Sequence, residues 1–155
     1  YIREVCAGIE SQRVQVFCEN ETVNLILSAF AQRAEENDVT LRVRAEIPHF
    51  LPVAETDLCV LLSNALENAL HACRRVQAQG READIDVLAY EKNGRLFLQI
   101  TNPCTDDVVF ERDIPVSTAA GHGIGVQSIC AITERYDGIC SFSVKDGRFI
   151  LRVSL

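Results

Sequence analysis

The chain has 155 residues, with 15 Lys and Arg against 22 Asp and Glu, a formal net charge of −7; 48% of its residues are hydrophobic and 24% are charged. That balance describes a single domain with a core of its own and excludes disordered and fibrous architectures. The acidic surplus argues against a nucleic-acid binder, which needs a basic face, but leaves room for a local anion site.

Residues 14–18, Val-Gln-Val-Phe-Cys, alternate briefly and predict a short strand. Val23, Ile26, Leu27, Phe30, Ala31 and Ala34 then recur with helical spacing, with Asn20 or Thr22 as the cap and Asn37-Asp38 as the end. Val39, Leu41, Val43 and Ala45 alternate with polar residues and predict a half-buried strand. Residues 56–78 form the longest predicted helix. Strands are predicted over 84–90 and 95–101 around an Asn93-Gly94 turn. Residues 102–120 show no period and are too long for a mere connector, which marks them as a candidate lid. Gly121 to Gly125 opens another helix that runs to Tyr136, with Gly138 as its C-terminal cap. A last hairpin over 139–144 and 148–155 turns at Asp146-Gly147. No apolar run is long enough for a transmembrane helix, and no signal peptide is visible, so no membrane insertion is expected in this segment.

The seven cysteines (Cys6, Cys18, Cys59, Cys73, Cys104, Cys130 and Cys140) form no C-x-x-C pair. A zinc ribbon or thioredoxin-like motif is therefore not supported. They are expected to be small buried hydrophobes of a protein in the reducing cytoplasm. A start at Tyr1 and the absence of Met lead to the expectation of a piece of a longer protein.

Two constellations carry chemistry. On the long helix, at about 100° per residue, Leu58, Leu62, Ala65, Leu66, Ala69, Cys73 and Val76 share an apolar arc, and Asn64, Asn68, His71 and Arg75 form a narrow stripe opposite. A plain solvated face would carry Glu, Lys or Gln more readily than Asn, a mediocre helix former. Two Asn one turn apart offer neutral oxygens to a hard cation and amide N–H groups to phosphate. Second, Gly121-His122-Gly123-Ile124-Gly125 directly precedes a helix, where glycines admit a ligand to the backbone and first-turn N–H groups attract an anion. It is neither a Walker A loop nor a dinucleotide fingerprint.

Leu61-Leu62-Ser63-Asn64-Ala65-Leu66-Glu67-Asn68-Ala69, a hairpin ending in Asn102-Pro103, an irregular loop, Gly121-His122-Gly123-Ile124-Gly125-Val126 and a final hairpin follow in that order. This order resembles the ATP-binding catalytic domain of sensor histidine kinases, in the GHKL (Bergerat-fold) superfamily. Cys18-Glu19-Asn20 and Val23-Asn24-Leu25-Ile26-Leu27 are similar to the opening of that domain in quorum-sensing receptors of the accessory-gene-regulator type. The resemblance implies an α+β fold, a two-layer α/β sandwich whose mixed, mainly antiparallel sheet carries helices on one face. It implies an ATP-binding catalytic domain over 14–155, and the end of a preceding dimerisation and phosphoacceptor helix over 1–13. ATP and Mg2+ are the implied cofactors. Asn68 matches the Mg2+-binding residue, Asn64 a second polar residue facing the phosphates, and His71 a phosphate contact. Gly121, Gly123 and Gly125 match glycines whose amides hold the β- and γ-phosphates, with His122 and Ile124 between them in the same nucleotide-binding box. Residues 103–120 match the ATP lid.

The sequence departs from the family at informative places. Ile100-Thr101-Asn102-Pro103 replaces the Asp-x-Gly-x-Gly adenine box, and Asn102 is expected to meet the adenine amino group with its carbonyl oxygen. Arg148 follows Gly147 where the family carries a Gly-Thr motif. Hydrolysing members place a Glu general base at the position of Asn64, and a neutral amide takes no proton from water. Phosphoryl transfer to a His on a dimerisation helix outside this chain is therefore favoured over hydrolysis, with positioning and charge neutralisation as the protein's task. No catalytic residue is assigned within the chain; His49, in Pro48-His49-Phe50, reads as a loop residue. The expected partners are ATP and ADP, the chain's own phosphoacceptor domain and a response regulator, with the whole as the cytoplasmic domain of a membrane-anchored receptor. The alternatives are an anti-sigma-factor-type serine kinase of the same superfamily and a non-catalytic binding module.

Overall fold

The computed structural model describes residues 15–116 and 123–155, with residues 123 and 124 described by their helical backbone alone. The elements run α1 (Glu21–Glu36), β1 (Thr40–Glu46), α2 (Glu55–Ala78), β2 (Asp84–Lys92), β3 (Arg95–Pro103), β4 (Val109–Glu111), β5 (Ile114–Val116), α3 (Gly123–Arg135), β6 (Ile139–Lys145) and β7 (Arg148–Ser154). Five strands form one sheet in the order β1-β2-β3-β7-β6. Among the described residues only β1 and β2 pair in parallel, and α2 is the long crossover that a parallel pair requires. The other pairs are antiparallel; β2–β3 and β6–β7 are hairpins joined through the Asn93-Gly94 and Asp146-Gly147 turns, whose residues all take positive φ, and β3–β7 is a non-local pair.

The strands alternate as their sequences demand. Ile85, Val87 and Ala89 of β2, Leu96, Leu98 and Ile100 of β3, and Leu151 and Val153 of β7 bury one face of the sheet under the helices. The helices return Leu27 from α1, Leu58, Leu66 and Cys73 from α2, and Ile129 from α3, all 1% exposed or less. The result is a two-layer α+β fold. α2 is buried over more than one face, because α1 and α3 flank it; Leu61 and Leu70 are sealed along with the expected apolar arc.

Several helix ends are set by side chains. Asn20 is the α1 cap: its Oδ1 accepts from the Val23 amide at 3.0 Å, and its Nδ2 donates to the His49 carbonyl. At the far end of α1, Asp38 takes φ 55°. Asp57, near the start of α2, accepts from the Tyr136 hydroxyl and from Arg135 at 2.5 Å each, which pins the end of α3 to the start of α2.

Four sequence expectations are corrected. Residues 15–18 are not a strand. The Phe17 and Cys18 amides donate to Asn24 Oδ1, and the Gln15 carbonyl accepts from Asn24 and Ser28, so α1 side chains take the groups a sheet partner would need. The 102–120 stretch is not wholly irregular, because β4 and β5 form a hairpin through Arg112 and Asp113, both at positive φ. Gly138 is not the left-handed cap of α3. Asp137 takes that conformation at φ 51°, and Gly138 serves a close approach to the backbone of Ser154. Cys59 is exposed, whereas Cys73 and Cys104 are buried as expected. Burial pushes the Cys73 thiol up to about 11, and burial together with Cys140, 3.6 Å away, pushes Cys130 up to about 12. Residues 1–13 lie outside the described residues.

Candidate functional site

The Asn stripe of α2 does not face solvent. Asn64, Asn68 and His71 are half-buried, and only Arg75 is exposed. What covers the stripe is the start of α3. An ideal Cβ placed on Gly125 would stand 3.4 Å from Asn64 Oδ1 and 3.5 Å from Asn68 Oδ1. The missing side chain thus leaves a small cradle bounded by two neutral amide oxygens and by the first turn of a helix, whose N–H groups have no partner within that helix. Hard oxygen donors beside the amides of a helix start would suit a magnesium ion and an anionic ligand. Among the described residues, no group of three or more His, Cys, Asp or Glu side chains could hold a metal by itself.

Glu67, the acid nearest to this cradle in sequence, is otherwise engaged. Arg33 of α1 donates to both of its oxygens, at 2.6 and 3.1 Å, and His71 Nε2 lies 3.0 Å from Oε1. The Arg33 guanidinium holds the Glu67 carboxyl below its ordinary range, against the opposing effect of partial burial. A carboxylate so paired is a poor proton acceptor. The pair joins α1 to α2, and through Glu67 it orients His71 toward the site.

A cavity of about 370 Å³ opens beside the cradle, between α2, the inner face of the sheet, the start of α3 and the β4–β5 hairpin. Its wall is apolar on the sheet side, from Ile100, Phe142, Phe149 and Leu151. Its polar groups come from Asn68, His71 and Arg75 along α2, from Asn102 near the end of β3, and from Thr105 and Asp107 after it. Asn102 is 2% exposed, and its Nδ2 donates to the Pro103 carbonyl at 2.9 Å, which fixes the orientation of the amide. At the mouth, the Thr105 hydroxyl donates to Asp107 and, with a smaller contribution from Arg75, holds that carboxyl below its ordinary range. An apolar slot with a few convergent polar groups is how small-molecule sites are built.

The structure therefore brings Asn64, Asn68, His71, Asn102 and Gly125 to one place. Gly123 opens α3, Ile124 is described by its backbone alone, and Gly121 and His122 lie outside the described residues. The site also includes groups that sequence reasoning missed: Thr105, Asp107, Phe142 and Phe149. Thr105 and Asp107 sit in a stretch without periodicity. Phe149 is the partner of Asn102 across the β3–β7 ladder, a non-local register that only the structure supplies. Arg148, by contrast, is drawn away from the site. It lies on the outer face of the sheet and donates to Asp84 at 2.9 Å and to Asp86 at 3.2 Å, and Arg42 closes the network from β1.

The sequence model of the GHKL domain matches residues 53–155. Among solved structures, a nucleotide-free form of the catalytic domain of the histidine kinase ThkA is similar at 14% identity and a TM-score of 0.67, over 87% of this chain and 89% of that one. A mycobacterial sensor histidine kinase, MprB, is similar at 16% identity and a TM-score of 0.62, over 87% and 91%. The Acinetobacter baumannii histidine kinase AdeS follows at 16% identity and 0.59, over 86% of this chain and 62% of that one. At such identities the likeness shows a shared fold. No curated protein matches the chain in sequence.

Proposed function

The chain belongs to the GHKL domain family, and from that premise we propose that it is the ATP-binding catalytic domain of a sensor histidine kinase of the accessory-gene-regulator receptor type. It would transfer the γ-phosphoryl group of Mg·ATP to a His on a dimerisation helix outside residues 1–155, from which a response regulator is served. The observation that carries this reading is the approach of Gly125 to Asn64 and Asn68. Two motifs far apart in sequence meet in a cradle of the chemistry that a metal-bound triphosphate requires.

Each residue then has a task. Asn68, with Asn64 beside it, would hold Mg2+, which when bound neutralises phosphate charge. The first-turn amides of α3 hold phosphate oxygens, and His71 and Arg75 add donors along the same stripe. Asn102 receives the adenine amino group at its carbonyl oxygen, while Ile100, Phe149 and Leu151 take the faces of the base. Neither amide of the stripe can deprotonate water, and Glu67 is tied to Arg33. Transfer to an imidazole, itself a competent nucleophile, asks only for positioning and charge neutralisation.

Calorimetric titration with Mg·ATP and Mg·ADP tests the reading, with Asn68→Ala as the control. We expect both nucleotides to bind the wild type, and the variant to lose at least about tenfold in affinity with its fold intact. Absence of nucleotide binding by the wild type would overturn the kinase reading, and full affinity in Asn68→Ala would overturn the site.

A further inference from the structure

We propose that Phe110 is a positioning residue for the purine end of this site: it fastens the β4–β5 hairpin to the sheet and so sets affinity for the nucleobase, independently of the phosphates. The inference rests on the nucleotide reading above.

A hairpin of two three-residue strands has no core of its own and is marginal without an external anchor. Its pleat supplies one. Val109, Glu111, Ile114 and Val116 occupy alternate positions, and the three hydrophobic ones among them are at least 40% exposed. Phe110 and Pro115, paired across the hairpin, occupy the intervening positions; Phe110 packs against the core, and Pro115 lines the cavity. The Phe110 ring lies over Phe149, with centroids 6.5 Å apart and planes 15° from parallel, and Phe149 in turn meets Phe142 at 6.2 Å.

The place of this contact gives it a function. Phe149 is the β7 partner of Asn102, the residue assigned to the adenine amino group. Both Phe149 and Phe142 line the cavity, and the hairpin contributes Pro115 and Val116 to the same wall. Phe110 thus holds a wall at the base end, whereas the Gly125 cradle lies against Asn64 and Asn68 on α2. β5 also meets β6 and α3, so loss of the ring would loosen the wall rather than detach the hairpin, while Gly125 keeps its own contacts with Asn64 and Asn68.

The experiment compares adenosine, Mg·ADP and Mg·ATP binding to wild type, Phe110→Ala and Phe110→Tyr by calorimetry, with circular dichroism and thermal melting as fold controls. Phe110→Ala is expected to weaken all three ligands by a common factor of about three to ten, the scale of one aromatic contact, and to preserve the ratio of ATP to ADP affinity. Phe110→Tyr keeps the ring and should restore binding, even if the alanine variant proves too unstable to assay. A folded alanine variant with unchanged adenosine affinity, a loss confined to ATP, or a tyrosine variant as weak as the alanine one would each overturn the inference. If the wild type binds none of the three, the nucleotide reading falls first and takes the inference with it; if the wild type binds and only the Phe110 pattern fails, the reading stands alone.

Discussion

Gly125 concentrates the chemistry of the site in an absence. A methyl group there would touch Asn64 Oδ1 and Asn68 Oδ1 at 3.4 and 3.5 Å, ordinary van der Waals distances, so no atom must move to admit it. Ala also favours a helix over Gly by about 0.5–1 kcal/mol. Gly125→Ala is therefore expected to melt at the wild-type temperature or slightly above it, and to bind Mg·ATP at least about tenfold more weakly, because the methyl covers the oxygens the metal would use. Scanning fluorimetry and calorimetry on one preparation check both halves. The two Asn were legible in the sequence because their type was wrong for a wet helix face. Thr105 and Asp107 were not, because nothing in an aperiodic stretch tells which side chains turn inward.

At the scale of elements, α3 must end against the last strand. A Cβ on Gly138 would collide with the Ser154 carbonyl oxygen and stand 3.1 and 3.2 Å from the next backbone atoms, which cannot swing aside as a side chain can. Gly138→Ala is expected to cost about 1–3 kcal/mol, a fall of several degrees in Tm, whereas Gly80→Ala meets nothing within 4 Å and carries only the strain of its positive φ. The α1–α2 junction gives a pH signature. The folded pKa of Glu67 is depressed, chiefly by Arg33, so its stabilisation is complete above the ordinary carboxylate range and is lost as pH falls through the depressed value. With both side chains 38% exposed, the pair contributes on the order of 1 kcal/mol or less. Below about pH 4, Tm should drop more steeply for the wild type than for Glu67→Gln. Parallel melts would decide it. Helices and hairpins with strong periodicity or an Asn-Gly turn were readable in advance. The β4–β5 hairpin was hidden because its strands are too short for a period and its turn is Arg112-Asp113.

At the scale of the whole molecule, the fold was readable before any coordinate because the order of motifs, an Asn-bearing helix, a hairpin, a loop and a glycine-led helix, resembles that of the GHKL domain. The net charge of −7 says less than it first suggests. At physiological ionic strength, charges more than about 8 Å away are largely screened, so an acidic protein can hold a polyanion if the nearby groups are right. Among the described residues those groups are few: His71 and Arg75 on α2 and the first-turn amides of α3. They do not match the charge of a triphosphate, and the two neutral Asn oxygens add none. On the nucleotide reading proposed above, the missing charge would arrive with the ligand as Mg2+. Chelating Mg2+ is therefore expected to lower ATP affinity by more than about tenfold and to change adenosine affinity by less than about twofold. Raising NaCl from about 50 to about 200 mM should weaken Mg·ATP by only about threefold or less, because the binding groups lie within contact distance, where salt screens poorly. Equal affinity for ATP with and without chelator would show that the phosphates are held by side chains and amides alone, and the two Asn would then need another role.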